Sequence, residues 1–263
     1  MEGVDYTQDQ IRYLLKHVWF LDPEVGRDVK PLPAGWNWTI PTTGELTVNQ
    51  ANGYKRLSYD IAQLERYRHE NERLTEQKNR VVFYGDSITD AWDRKGTEFF
   101  PGKNYVNRGI SGQTTAQMLI RFRQDVIDLH PAVVVILAGT NDIAGNLGPS
   151  SLKMAADNIE SMVQLARANG IRVVLCSLLP ADHYNWRPDV KPAAYIREMN
   201  SWMKKYAADK GVVYVDYYSA LANADGGMKE GTSKDGVHPT AEGYAIMAPL
   251  AEAGITAAMK KKP

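Results

Sequence analysis

The chain has a single cysteine, no net charge and no long apolar run. One cysteine, Cys176, excludes an intramolecular disulfide and leaves no thiolate cluster for zinc. It ends the apolar run Val173-Val174-Leu175, which reads as a small buried hydrophobe. Lys+Arg and Asp+Glu both total 31, so the formal charge is zero. A protein that grips a phosphate backbone carries a basic excess or stripe, so no nucleic-acid partner is expected. Lys260-Lys261-Lys262 reads as a short solvated tail. No stretch approaches the roughly 20 apolar residues of a membrane-spanning helix, so no membrane span is expected. Met1-Glu2-Gly3-Val4-Asp5 lacks the basic and then apolar order of a signal peptide. The chain as written reads as cytoplasmic, or as secreted or periplasmic if Met1 follows a removed leader. Internal repeats and low-complexity segments are missing too.

What is present is enough for one sizeable core: 263 residues, 44% of them hydrophobic. Two regions differ in texture. Residues 1–58 open with a capping-box pair, Thr7 and Gln10, ahead of an apolar stripe of Ile11, Leu14, Leu15 and Val18. A Pro/Gly-rich stretch from Pro31 to Gly44 follows, with Trp36 and Trp38 flanking Asn37. This N-terminal helical and irregular extension is too poor in core residues to fold alone, and is expected to pack on the main body. Residues 59–263 begin with a charged segment near Asp60 to Gln77. Ile61, Leu64, Tyr67 and Leu74 give it one narrow apolar face, so it is expected to be the domain's leading helix.

From Arg80 the pattern alternates. Short apolar runs at Val81 to Tyr84, Tyr105 to Asn107, Ala132 to Leu137, Arg172 to Cys176 and Val212 to Val215 read as strands covered on both faces. Helical patterns fill the gaps at Thr114 to Leu129, Ser150 to Asn169, Ala193 to Asp209 and Thr240 to Met259. The expected fold is α/β: a three-layer α/β/α sandwich around a flavodoxin-like, five-stranded parallel sheet of order 2-1-3-4-5. Ligands bind such sheets beyond the carboxyl ends of the strands, where strand order reverses. The order brings the loops after the first three strands to one edge, with Ser87, Gly109 and Asn141. The loop before the last helix adds Asp235 and His238.

Those residues are a parts list for acyl transfer through serine: a nucleophile, a base with an orienting carboxylate, and oxyanion donors. Taken alone, Ser87 in Gly85-Asp86-Ser87-Ile88-Thr89 is better read as a helix cap. A phosphate loop is poorly supported with one glycine, and Thr89 stands where an α/β-hydrolase elbow has its second glycine. Asp235-Gly236-Val237-His238 places a carboxylate ahead of an imidazole in a turn. His238 would take the Ser87 proton while Asp235 fixes its tautomer. Asp182-His183 is a weaker rival pair. Gly109 would offer a backbone N–H, and Asn141, in Gly139-Thr140-Asn141-Asp142, a neutral side-chain N–H. A serine mechanism needs no metal and no cofactor, and the carboxylates Asp86 and Asp142 are expected to brace loops.

These blocks resemble those of the SGNH (GDSL-type) hydrolase family, particularly its platelet-activating-factor-acetylhydrolase-like bacterial esterases. The resemblance covers Arg80 to the C-terminus. It implies Ser87 as nucleophile, His238 as base and Asp235 as its partner. The oxyanion hole would then combine the Ser87 and Gly109 N–H groups with the Asn141 side chain. The family spans carbohydrate acetylesterases, thioesterases, lysophospholipases and arylesterases. Tyr184, Trp186 and Arg187, between Asp182 and Pro192, would line one wall. Aromatic faces suit a sugar ring, and Arg187 a carboxylate. With no long apolar lid, the substrate is expected to be a short-chain, acetyl-type ester of a carbohydrate or similar small polar alcohol. The alternatives are a thioesterase or lysophospholipase, or a non-catalytic glycan- or acyl-binding module on the same scaffold.

Overall fold

The computed structural model of the protein describes residues 60–94 and 98–262. The chain divides into two compact units, Met1–Gln63 and Leu64–Pro263. The features expected within residues 1–58, including Trp36 and Trp38, lie outside the described residues. Every element below belongs to the second unit.

Five parallel strands form one sheet: β1 (Val81–Gly85), β2 (Tyr105–Gly109), β3 (Val133–Leu137), β4 (Arg172–Cys176) and β5 (Val213–Val215). Their order is β2-β1-β3-β4-β5. The helices are α1 (Arg68–Arg73), α2 (Ser87–Asp90), α3 (Thr115–Asp125), α4 (Thr140–Ala144), α5 (Leu152–Ala168), α6 (Pro192–Lys210), α7 (Tyr217–Leu221) and α8 (Ala241–Met259). Among the described residues no helix is long and apolar enough to cross a membrane.

Strand side chains alternate between faces. Val82, Tyr84, Val134, Ile136, Val173 and Leu175 join one apolar cluster with Met118 and Phe122 of α3, Ile159 and Met162 of α5, and Met199 and Met203 of α6. Val81, Phe83, Val133, Val135, Val174 and Cys176 join the other, with Ile88 of α2 and Tyr244, Met247, Ala251 and Ile255 of α8. Both faces are therefore covered. That is why β1 and β3 read as unbroken apolar runs and are buried at every position.

One expected element is corrected. The helix expected from Asp60 to Gln77 is confined to Arg68–Arg73. Gln63 takes a left-handed backbone angle, φ 54°, which interrupts a helix at that point. Of the expected apolar stripe, Tyr67 is buried whereas Ile61 and Leu64 are exposed. The short helix docks by polar contacts instead. Asn71 Nδ2 donates to Asp125 Oδ1 at 2.8 Å, and the buried Arg108 guanidinium reaches Asn71 Oδ1 and Glu70 Oε1, each at 2.8 Å.

The strand ends fix the edge where the site forms. Gly85 of β1 lies beside Gly109 of β2 and Leu137 of β3. Arg121, fully buried on α3, ties these ends together. Its Nη2 donates to the Gly85 carbonyl at 3.0 Å and its Nη1 to the Arg108 carbonyl at 2.9 Å. Asp125, also fully buried, supplies the countercharge at 3.0 Å. Both strand-end glycines are needed because α2 presses on them. A Cβ on Gly85 would meet Thr89 Oγ1 at 2.1 Å, and one on Gly109 would meet the Asp90 backbone nitrogen at 2.1 Å.

Candidate active site

Ser87 is the first residue of α2, directly after the strand end. Asp86 caps that helix, its side chain accepting from the Ile88 N–H at 2.9 Å. Ser87 Oγ lies 2.8 Å from His238 Nε2, across 151 residues of chain. His238 Nδ1 lies 2.7 Å from Asp235 Oδ2. The other carboxylate oxygen, Oδ1, accepts from the Val237 and His238 backbone N–H groups at 3.0 and 2.8 Å. Partial burial would raise the Asp235 pKa, but these two N–H groups and the His238 ring outweigh it and hold the carboxyl down at about 2. Asp235 is thus an acceptor alone. Its contact assigns the hydrogen to Nδ1 and leaves Nε2 of a neutral ring to accept from the Ser87 hydroxyl. Ser233 Oγ donates to the His238 carbonyl at 2.9 Å and braces the turn.

The rival pair is formed, with the His183 ring against Gly236 of the Asp235–His238 turn. His183 Nδ1 lies 2.6 Å from Asp182 Oδ1, and among the described residues His183 bonds no serine.

The two other expected oxyanion donors fare differently. The Gly109 N–H is already used: it donates to Asn107 Oδ1 at 2.9 Å, inside β2. Its carbonyl accepts from the buried Tyr67 hydroxyl. Gly109 is a glycine because α2 crosses it, and its N–H is engaged within its own strand. Three positions on, Gly112 holds φ +80°, and a Cβ there would find only Asn146 Nδ2, 4.0 Å away. Among the described residues no hydrogen bond engages the N–H of Ser87 or of Gly112. Asn141, in the first turn of α4, is buried. Its Nδ2 donates to the Gln113 carbonyl at 2.9 Å and lies 3.3 Å from Asp86 Oδ2, a long contact that a nearer acceptor would displace.

The two buried carboxyls beside these loops are braces. Burial pushes Asp86 up to about 6, against the pull of the Ile88 N–H and the His238 ring. Burial likewise pushes Asp142 up to about 6, although the Thr115 hydroxyl and N–H, at 2.6 and 2.9 Å, favour its charged form.

Of the three residues expected to line a substrate wall, one presents a face. Trp186 is 42% exposed, and its ring lies 6.3 Å from that of His238. Tyr184 is fully buried beneath it, stacked at 4.9 Å, with its hydroxyl 2.8 Å from Thr140 Oγ1. It supports the wall and does not form its surface. Arg187 is turned inward as well: its guanidinium holds Asp189 at 2.8 and 3.0 Å and the Ala144 carbonyl at 2.5 Å. Asn146, absent from the expected set, sits between Trp186, Asn141 and Gly112. The only sequence signal for it is Gly145, a left-handed helix stop at φ 70° that turns the chain back.

Known proteins share this framework. A GDSL-like lipase from Bacteroides thetaiotaomicron VPI-5482 superimposes with a TM-score of 0.73 at 43% identity, covering 76% of this chain and all of that one (100%). An acetylxylan esterase from Geobacillus stearothermophilus shares the fold at a TM-score of 0.53 and 21% identity, over 68% of this chain and 94% of its own. Esterase TesA of Pseudomonas aeruginosa is 31% identical over 134 residues, which is 51% of this chain and 60% of TesA. The match thus spans less than two thirds of that curated relative. The pattern of the GDSL-like lipase/acylhydrolase family matches residues 83–246, which hold every catalytic candidate named above, and the chain belongs to that family.

Proposed function

We propose that the protein is a serine esterase that removes short acyl groups, acetyl first, from a carbohydrate or similar polar alcohol. The observation that carries this reading is the unbroken chain from Ser87 Oγ through His238 to Asp235, with contacts of 2.8 and 2.7 Å. Ser87 Oγ attacks the ester carbonyl as Nε2 of His238 takes its proton, and Asp235 stabilises the imidazolium. His238 then passes the proton to the departing alkoxide. Water, deprotonated in turn by His238, releases the acid and restores Ser87.

The oxyanion reading changes from the sequence expectation in one member. With the Gly109 N–H bonded to Asn107, the Gly112 N–H is the better backbone donor beside that of Ser87, with Asn141 Nδ2 as the third. Since His238 serves the leaving group, the Trp186 face beside it lies on the alcohol side. An exposed indole face suits the C–H face of a pyranose ring. TesA, one of the relatives, is an esterase.

The test is hydrolysis of p-nitrophenyl esters from acetyl to decanoyl by the wild-type chain and Ser87→Ala. Turnover should fall steeply with acyl length and drop by roughly 10⁴-fold or more in the variant, with its melting temperature unchanged. Release of acetate from acetylated xylo-oligosaccharides then tests the alcohol. Equal turnover by wild type and variant rejects the mechanism, and a preference for decanoyl rejects the substrate class.

A further inference from the structure

Asn146 lies outside the triad and the three oxyanion donors, yet it bonds at once to Asn141 of the helix before it and to two other loops of the site. Trp186 Nε1 donates to Asn146 Oδ1 at 3.0 Å. Asn146 Nδ2 faces the Gly112 carbonyl at 3.2 Å and Asn141 Oδ1 at 2.7 Å. Its backbone N–H donates to the Asn141 carbonyl at 3.0 Å.

The chemistry of these partners leaves the amides one orientation. An indole N–H can only donate, so it must meet the oxygen of Asn146. A carbonyl can only accept, so Gly112 must meet the nitrogen. With its polarity fixed from both ends, Asn146 presents an N–H to Asn141. The Asn141 oxygen must then face Asn146, and its nitrogen must face the opposite way. There the Gln113 carbonyl, a further obligate acceptor, receives it at 2.9 Å. A flipped Asn141 would set N–H against N–H at Asn146 and oxygen against oxygen at Gln113.

We propose that Asn146 is a positioning residue for the oxyanion hole. It locks the Asn141 amide with Nδ2 toward the reacting oxygen, and it links that lock to Trp186 on the alcohol side. The inference rests on the esterase reading above. An oxyanion donor acts only if it is in place before charge develops, and an amide free to flip spends part of its time presenting an oxygen to an oxyanion.

Two variants separate orientation from charge. Asn146→Leu keeps size and neutrality but removes the N–H that Asn141 Oδ1 accepts, leaving the amide held only at its nitrogen. Asn146→Asp keeps the Trp186 bond but offers Asn141 only an acceptor, which favours the flipped amide. With p-nitrophenyl acetate, kcat should fall about 10-fold in Asn146→Leu and on the order of 10²-fold in Asn146→Asp. KM should stay within about threefold, and the rate of Ser87 phosphonylation by a fluorophosphonate should fall in parallel with kcat. Trp186→Phe removes the indole N–H and should lower kcat severalfold alone, but add little to Asn146→Leu, because both act through one amide. Thermal melts of each variant confirm that the compared proteins are folded. An unchanged kcat in both Asn146 variants overturns the inference. So does a loss confined to Asn146→Asp, which is the signature of charge, or one confined to KM. Independent, fully additive effects of Trp186→Phe and Asn146→Leu overturn it as well. If the wild-type chain neither turns over the ester nor takes up the fluorophosphonate, it is the esterase reading that fails, and this inference falls with it.

Discussion

Gly109 and Gly112 belong to one short loop region and have different duties. The first closes β2 where α2 crosses, and the second turns the loop beyond it at φ +80°. In sequence both are loop glycines, and only the strand register separates them: β2 runs on through Gly109, paired with Gly85, rather than stopping at Asn107. That register is set by tertiary pairing, which composition does not show. That Ser87, His238 and Asp235 meet was legible from the order of their clusters and their places at the strand ends. Asn146 was not, because an asparagine after a helix reads as a turn residue until its three partners are known. The glycine assignment has a direct test. Gly109→Ala should destabilise the fold by about 2–4 kcal/mol, because its Cβ has backbone and no flexible side chain to displace. Gly112→Ala has open space around it and should remain folded, while strain at its positive φ displaces the N–H and lowers kcat. Melting temperatures and p-nitrophenyl acetate kinetics check both. A stable, inactive Gly109→Ala would return Gly109 to the oxyanion hole.

At the scale of elements, the amphipathic patterns that found real helices were those with a broad apolar face. The stretches expected at Ala193 to Asp209 and Thr240 to Met259 are helical at Pro192–Lys210 and Ala241–Met259. The segment from Asp60 to Gln77 had a narrow stripe, and polar docking of six residues replaced it. Helix starts at the site also carry the buried carboxyls, and these set a pH dependence. Asp86 and Asp142 both lie at about 6 in the folded chain, above the ordinary 3.8. The folded state therefore holds more protons than the unfolded one between about 4 and 6, and stability declines as pH rises through that window. Asp235, held at about 2, has the opposite sign: its contribution is present above 3.8 and is lost as pH falls toward 2. Replacing both buried carboxyls, as Asp86→Asn with Asp142→Asn, keeps the Asp86 cap geometry and removes the first effect. Urea midpoints should show the double variant gaining on wild type by on the order of a few kcal/mol more at pH ~7.5 than at pH ~4.5. An advantage that does not change with pH would contradict the assignment.

For the whole molecule, sheet order is the feature that makes the site. Separate clusters meet because β1 lies between β2 and β3, so the loops carrying Ser87, Gly112 and Asn141 leave one edge. Strand-helix alternation made the parallel sheet legible from sequence; the order is only the common one for five strands, and it brings the right loops together but names Gly109 in place of Gly112. The inward turn of Tyr184 and Arg187 was not legible, since a loop's facing depends on what it packs against. On the proposed function, this edge houses one activated serine. The most direct measurement is intact mass and peptide mapping after brief exposure to a fluorophosphonate probe. A single adduct is expected, on Ser87, absent from Ser87→Ala and strongly slowed in His238→Ala. No adduct, or one on a different serine that survives Ser87→Ala, would contradict it.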